Sequence, residues 1–220
     1  MKVNVEQALF IVDEVRLLTG STYVLRFSRN DMAFTPGQHL VIGLPGGEEM
    51  REYSVYSGNN EEYLEVLIKE IDEGLVSRQL KKIKQGDGIQ VRGPYGFFLS
   101  KAAGQGEDKL LFIASGTGIA PFHSFVRSLP GADYHIIHGV RNMDEAYDLA
   151  HYDRDRITVC TSRENSGDFA GRITDYLLDA SLYPEHQVFL CGNRHMILDA
   201  MDILRARGIP QQRIFTEVYF

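Results

Sequence analysis

The stretch REYSVYSG, residues 51–58, sets an arginine two positions ahead of a Tyr-Ser pair, inside a run rich in β-formers. Packing alone has little use for Arg51. A strand that turns a guanidinium, an aromatic ring and a hydroxyl toward one flat, phosphate-bearing ligand would use Arg51, Tyr53 and Ser54 together. ASGTGIAP, residues 114–121, follows an apolar run and opens a helix. Gly116 and Gly118 let the backbone approach a ligand closely, the helix N-terminus favours an anion, and Pro121 suits an early helical position. The other reading is a tight strand-to-helix turn; the context favours a ligand.

Three further stretches stay open on their residues alone. In EGLVSRQL, residues 73–80, Gly74 and Ser77 precede a short helix. They form either a second anion site or an ordinary cap. In LCGN, residues 190–193, Cys191 ends an apolar run, where it either touches a ligand ring or fills a core. In TSRENSGDFAGR, residues 161–172, Ser162, Arg163 and Arg172 could hold a phosphate dianion. Surface ion pairs with Glu164 or Asp168 would explain the same arginines. EVYF, residues 217–220, places an aromatic pair in the last residues, to cover an apolar surface or to stack on a flat ligand.

These residues must be positioned by two kinds of element. Up to about residue 100, LFIVDEVRLL, TYVLRFS, HLVIGLP, REYSVYS, YLEVLIKEI and GIQVRGP are short β-rich runs punctuated by TG, PG, GG, GNN and GDG. They predict six strands of an antiparallel barrel or sandwich, with one short helix over 76–81. The aromatic turn GPYGFFL, residues 93–99, is expected at the seam between the two halves of the chain. In the second half, strands KLLFIA, YHIIHGV, RITVCT, QVFLC and IFTEVYF alternate with helices IAPFHSFVRSL, RITDYLLDA and RHMILDAMDILRARG. That alternation predicts a parallel sheet covered on both faces, with ligands at the carboxyl ends of its strands. KAAGQGED, residues 101–108, is the expected hinge.

The chain has 220 residues, room for two units of about 100 each. Apolar residues make up 44 %, enough for a real core, and no apolar run approaches the ~20 residues of a membrane helix. Acidic residues interrupt the N-terminal apolar stretch, so a signal peptide is not expected. The net charge of -7 argues against nucleic acid as a partner. Two distant cysteines, Cys160 and Cys191, suggest no zinc site and cannot ligate an ordinary iron–sulfur cluster, so a redox centre would be an organic cofactor. A reduced thiol state fits the cytoplasm.

Taken in order, R-x-Y-S in a strand, G-x-x-S before a short helix, G-T-G-I-A-P, a strand ending C-G and a late E-V-Y resemble the ferredoxin–NADP(H) reductase superfamily. The likeness is to plant-type FAD-dependent reductases in a short, bacterial-like form, and it spans essentially the whole chain. It implies a six-stranded antiparallel flavin barrel over 1–102 and an α/β parallel-sheet NADP(H)-binding domain over 108–220. It further implies that Arg51 meets the FAD pyrophosphate, Tyr53 lies on one flavin face and Ser54 sits near N5. Leu67, Ile68 and Lys69 would line the flavin, with Lys69 also reaching the nicotinamide nucleotide. Gly74, Leu75, Val76 and Ser77 would complete the FAD phosphate site, and Thr117 would lie between flavin and nucleotide.

By the same resemblance Cys191 stands near the nicotinamide, with Gly192 and Asn193 beside it. Glu217 exchanges protons or hydrogen-bonds around Ser54, and Tyr219 covers the flavin face. Phe220 extends one residue past the plant pattern, so either ring is a candidate for stacking. Gly116, Thr117 and Gly118 would meet the nucleotide. Ser162, Arg163, Arg172 and Arg141 would read a 2′-phosphate, which points to NADP(H). The implied function is hydride transfer between NADPH and FAD and single-electron exchange with a separate carrier, ferredoxin or flavodoxin, by a monomer or weak dimer without membrane insertion. Lys81, Lys82 and Lys84 form a candidate docking patch or a solvated turn. An NADH-dependent reductase of a haem protein or oxygenase, a free-flavin reductase and a non-catalytic redox subunit are the rival readings.

Overall fold

The structure, a computed structural model, describes residues 9–99 and 109–219. The expected hinge over 101–108 and Phe220 lie outside the described residues. The first unit contains β1 (Leu9–Leu17), β2 (Thr22–Ser28), β3 (His39–Gly43), β4 (Met50–Ser54), β5 (Tyr63–Lys69), the helix α1 (Leu75–Leu80) and β6 (Gly88–Tyr95). The strands form one antiparallel sheet in the order β4-β3-β6-β1-β2-β5. Period-two alternation drives it. On β5, Leu64, Val66 and Ile68 enter a core with Phe10, Tyr23, Leu25, Phe27, Leu40 and Ile42, while Leu67 packs on the opposite side.

The expected barrel is not fully closed. Beyond the end of β4, Val55 forms a single bridge to Val66, and the Tyr56 N–H donates to the Glu65 carbonyl at 2.7 Å. The Val55 N–H instead serves the Gln38 carbonyl at 3.0 Å. The rest of the β4–β5 seam carries no ladder among the described residues.

The second unit runs β7 (Leu110–Ser115), a 3-10 turn over Gly116–Ile119, α2 (Ala120–Ser128), β8 (Tyr134–Val140), β9 (Ile157–Thr161), β10 (Phe169–Ala170), α3 (Ile173–Asp179), β11 (Gln187–Asn193), α4 (Arg194–Ala206) and β12 (Ile214–Tyr219). All six strands are parallel, in the order β10-β9-β8-β7-β11-β12. β7 is apolar from Leu110 to Ala114 because it is covered twice: Leu110 and Phe112 face the α2 side, Leu111 and Ile113 the side of α3 and α4. The two-residue strand β10 was not anticipated in its polar, glycine-containing segment. The direction of winding reverses between β7 and β11, so their carboxyl ends frame a crevice.

Val24, Tyr56, Leu67 and Leu99 of the first unit join Phe112, Phe122, Phe125 and Phe189 of the second in one hydrophobic cluster. GPYGFFL thus enters the seam through buried Leu99 and through Phe98, whereas Phe97 is 84 % exposed. A polar clasp lies alongside. Arg16 donates two hydrogen bonds to Asp148, both 2.8 Å, and the Tyr56 hydroxyl donates to Asp148 Oδ2 at 2.9 Å.

Candidate active site

The unlaced β4–β5 seam opens into a cleft of 550 Å³. Arg51, Tyr53 and Ser54 line it from β4, Leu67 and Lys69 from β5, Gly74, Val76 and Ser77 from the start of α1, and Glu217 from β12. Most of the residues expected at a flavin site thus line this one cleft. Ile68 is turned into the core instead, as the pleat requires of the residue between Leu67 and Lys69, and Leu75 is exposed and outside the lining. Ser77 Oγ accepts from the Ile71 N–H at 3.2 Å, so it braces the turn before α1 while facing the cleft. The first N–H groups of α1 have no intrahelical acceptors. Arg51 is exposed and paired with Glu49 at 2.9 Å. An exposed pair of this kind is worth roughly 0–1 kcal/mol and yields readily to a phosphate.

Ser54 donates its hydroxyl to Glu217 Oε2 at 3.3 Å, across the two units. Burial pushes the Glu217 carboxyl up to about 7; Ser54 opposes the shift and the nearby Glu52 charge adds to it. Burial likewise pushes the Tyr53 phenol up to about 12, so its ring is a neutral wall at physiological pH.

A second cleft, of 530 Å³, lies over the crevice between β7 and β11. Ser115, Gly116 and Thr117 line it from the end of β7, and Gly192 and Asn193 from the end of β11. Close backbone approach explains the glycines: a Cβ on Gly118 would collide with the Cys191 carbonyl, and one on Gly192 with Ser115. Gly118 is thus a packing requirement and not part of the lining. Asn193 caps α4, its Oδ1 accepting from the His195 N–H at 2.9 Å. His138, missed in the sequence, is buried 2.9 Å from the Gly116 carbonyl; burial holds its ring down to about 4, so a neutral ring donates Nε2–H there and pins the turn.

The cations meet this cleft unequally. Ser162, Arg172 and Arg141 line it, whereas Arg163 is exposed and stands outside the lining. Arg141 is gripped by Glu145, whose carboxylate also faces the cleft. Cys191 is fully buried in the core cluster and lines neither cleft. Cys160 does line the second cleft, with its thiol pushed up to about 12 by burial and so un-ionised. The backbone of Tyr219 pairs with Asn193. In the candidate lysine patch, Lys81 is already bound to Glu70 at 2.5 Å.

Lys69 and Thr117 line both clefts, so the two spaces meet beside the Ser54–Glu217 pair. An apolar wall, hydroxyls and the start of α1 in the first cleft fit a flavin dinucleotide. A glycine-lined strand end with cations fits a second nucleotide.

The comparisons agree. Residues 10–99 match the oxidoreductase FAD-binding domain and residues 112–202 the oxidoreductase NAD-binding domain. The chain is 30 % identical over 233 residues to ferredoxin–NADP reductase B of Sorangium cellulosum, covering 93 % of this chain and 94 % of that one. It is 28 % identical to the toluate 1,2-dioxygenase electron transfer component of Pseudomonas putida over 94 % of its own length, but spans only 66 % of that relative. A ferredoxin NADP+ reductase from Neisseria gonorrhoeae, solved with FAD and NADP, superimposes with a TM-score of 0.86 at 26 % identity, over 97 % of this chain and 98 % of that one. The chain belongs to the ferredoxin–NADP(H) reductase superfamily of flavoprotein oxidoreductases.

Proposed function

We propose that the chain is an NADP(H)-dependent FAD reductase of the ferredoxin or flavodoxin type, passing single electrons to a separate carrier protein. The observation that carries this reading is the meeting of the two clefts at Lys69 and Thr117, beside a serine–carboxyl pair poised near neutral pH. Bound FAD supplies the chemistry that takes a hydride from nicotinamide and releases electrons one at a time. Tyr53 and Leu67 wall the ring site, while Arg51, Ser77 and the N–H groups of α1 hold the pyrophosphate. Ser54 Oγ conducts a proton between the cleft and Glu217 Oε2. Gly116, Thr117 and Gly192 let the nucleotide approach, and holding the reactants together supplies much of the rate. Cys191, buried outside both clefts, acts through its backbone. The two units, 1–102 and 108–220, work in the cytoplasm.

Ser162 and Arg172 are the groups that read the 2′-phosphate, with Arg163 joining from the rim. Losing one charge-assisted bond costs about 1.5–3 kcal/mol, or roughly 10- to 100-fold in affinity. Arg172→Ala is therefore expected to raise the NADPH KM by about that factor and leave the NADH KM nearly unchanged. Equal effects on both nucleotides would remove the phosphate site. One observation favours a second reading, an NADH-dependent reductase serving an oxygenase: Glu145 neutralises Arg141 and presents a carboxylate that suits ribose hydroxyls.

A further inference from the structure

Away from both clefts, three metal-competent side chains converge on the seam between the units. His123 lies on α2; Asp148 and His151 follow β8, spaced D-x-x-H. Their ligating atoms all lie within 4.8 Å of one another. Tyr56, from the first unit, orients this group twice. Its ring stacks on His123 at 3.7 Å, and its carbonyl lies 2.6 Å from His123 Nδ1. A carbonyl only accepts, so Nδ1 carries the proton and Nε2 presents a lone pair, 2.9 Å from His151 Nδ1. A ring nitrogen that donates to a backbone carbonyl while the other faces inward is the usual outer bonding of a metal-ligating histidine.

Asp148 is also oriented. Oδ2 accepts from Arg16 and from the Tyr56 hydroxyl, and Oδ1 accepts one bond from Arg16, which leaves Oδ1 a lone pair. Tyr152 meets His123 edge-on at 5.6 Å, and its buried hydroxyl has no hydrogen-bond partner among the described residues. A metal-bound water would give it one.

We propose that His123, His151 and Asp148 form a three-ligand site for a divalent transition-metal cation, Zn²⁺ above all, at the seam between the two units. Two imidazoles and one carboxylate, with water in the fourth position, make a tetrahedral zinc set. Zinc ligands lie about 3.3 Å apart, given bond lengths of roughly 2.0–2.1 Å. The spread of 4.8 Å must therefore tighten, and exposed His151, in a single 3-10 turn, is the ligand able to move. Arg16 already offsets the Asp148 charge and no thiolate takes part, so binding weaker than at a cysteine-rich zinc site is expected. Bound metal would fix the segment 148–151 to α2, and through Tyr56 and Arg16 to the first unit.

The test is equilibrium dialysis of flavin-loaded protein against micromolar Zn²⁺ with metal analysis, alongside thermal unfolding in Zn²⁺ or Mg²⁺. Wild type should bind one Zn²⁺ more than His151→Ala, with affinity at the site falling about 100-fold or more in the variant. Zn²⁺ should raise the Tm of wild type alone, and Mg²⁺, which prefers oxygen ligands, should raise neither. His151→Ala also removes the bond to His123 Nε2, so the Zn²⁺ shift of each protein is measured against its own metal-free Tm. No bound Zn²⁺ in wild type, equal binding in the variant, or equal stabilisation by Mg²⁺ would overturn the site.

Discussion

At the scale of single residues, Glu217 is the most consequential group, because its carboxyl titrates near pH 7 instead of near 4.5. Burial is the chief cause. The folded state holds this proton more tightly than the unfolded chain, so its stabilising contribution is complete below pH 4.5 and is lost as pH rises through 7. Glu217→Gln should therefore gain about 1–3 kcal/mol on wild type between pH 5 and pH 8, read from urea unfolding at both values. It should also flatten the pH dependence of flavin reduction across pH 6–8. Ser54→Val should slow flavin reduction while FAD remains bound; an unchanged rate would remove Ser54 from the proton path. The sequence marked Ser54 and Glu217 through motif likeness, but their 3.3 Å contact joins residues 163 positions apart, which no local pattern encodes.

At the scale of elements, strands and helices were legible because each carries its own signal. β5 is rich in β-branched and apolar residues, β7 is apolar from Leu110 to Ala114, and α4 ends before Gly208, which holds φ +88°. The incomplete barrel was less legible, since the chain meets β5 only beyond the end of β4, through the Val55–Val66 bridge and the Tyr56–Glu65 hydrogen bond. β10 has only two residues, too few for any periodicity. Gly118 shows how one element constrains another: its missing Cβ lets the turn after β7 lie against the end of β11. Gly118→Ala should cost about 2–4 kcal/mol in denaturant unfolding and weaken nucleotide binding with it. Stability near wild type would mean that the two strand ends have room to part.

At the scale of the whole molecule, the units are joined by an aromatic cluster and by Asp148, held by Arg16 and Tyr56. Burial works to raise the Asp148 carboxyl, but the bonds from Arg16 and Tyr56 outweigh it and leave it below the ordinary range. The clasp thus stabilises above the unfolded carboxyl's range, near pH 4, and is lost as pH falls through the lower folded value. Arg16→Met strands a largely buried carboxylate and should cost about 3–5 kcal/mol at pH 7, with a smaller cost in acid. None of this clasp was read from the sequence. Arg16, Tyr56 and Asp148 come from three separate segments, and Asp148 is one of many surface-type carboxylates until the fold buries it.

On the function proposed, the two clefts meeting at Lys69 and Thr117 pass a hydride from a nicotinamide nucleotide to a bound flavin. The most direct measurement is an anaerobic titration of the purified protein with NADPH, and in parallel NADH, followed by visible absorbance. A yellow protein bleached by near-stoichiometric NADPH, and poorly by NADH, is the expected result. A protein that holds flavin yet is bleached by neither nucleotide would contradict it.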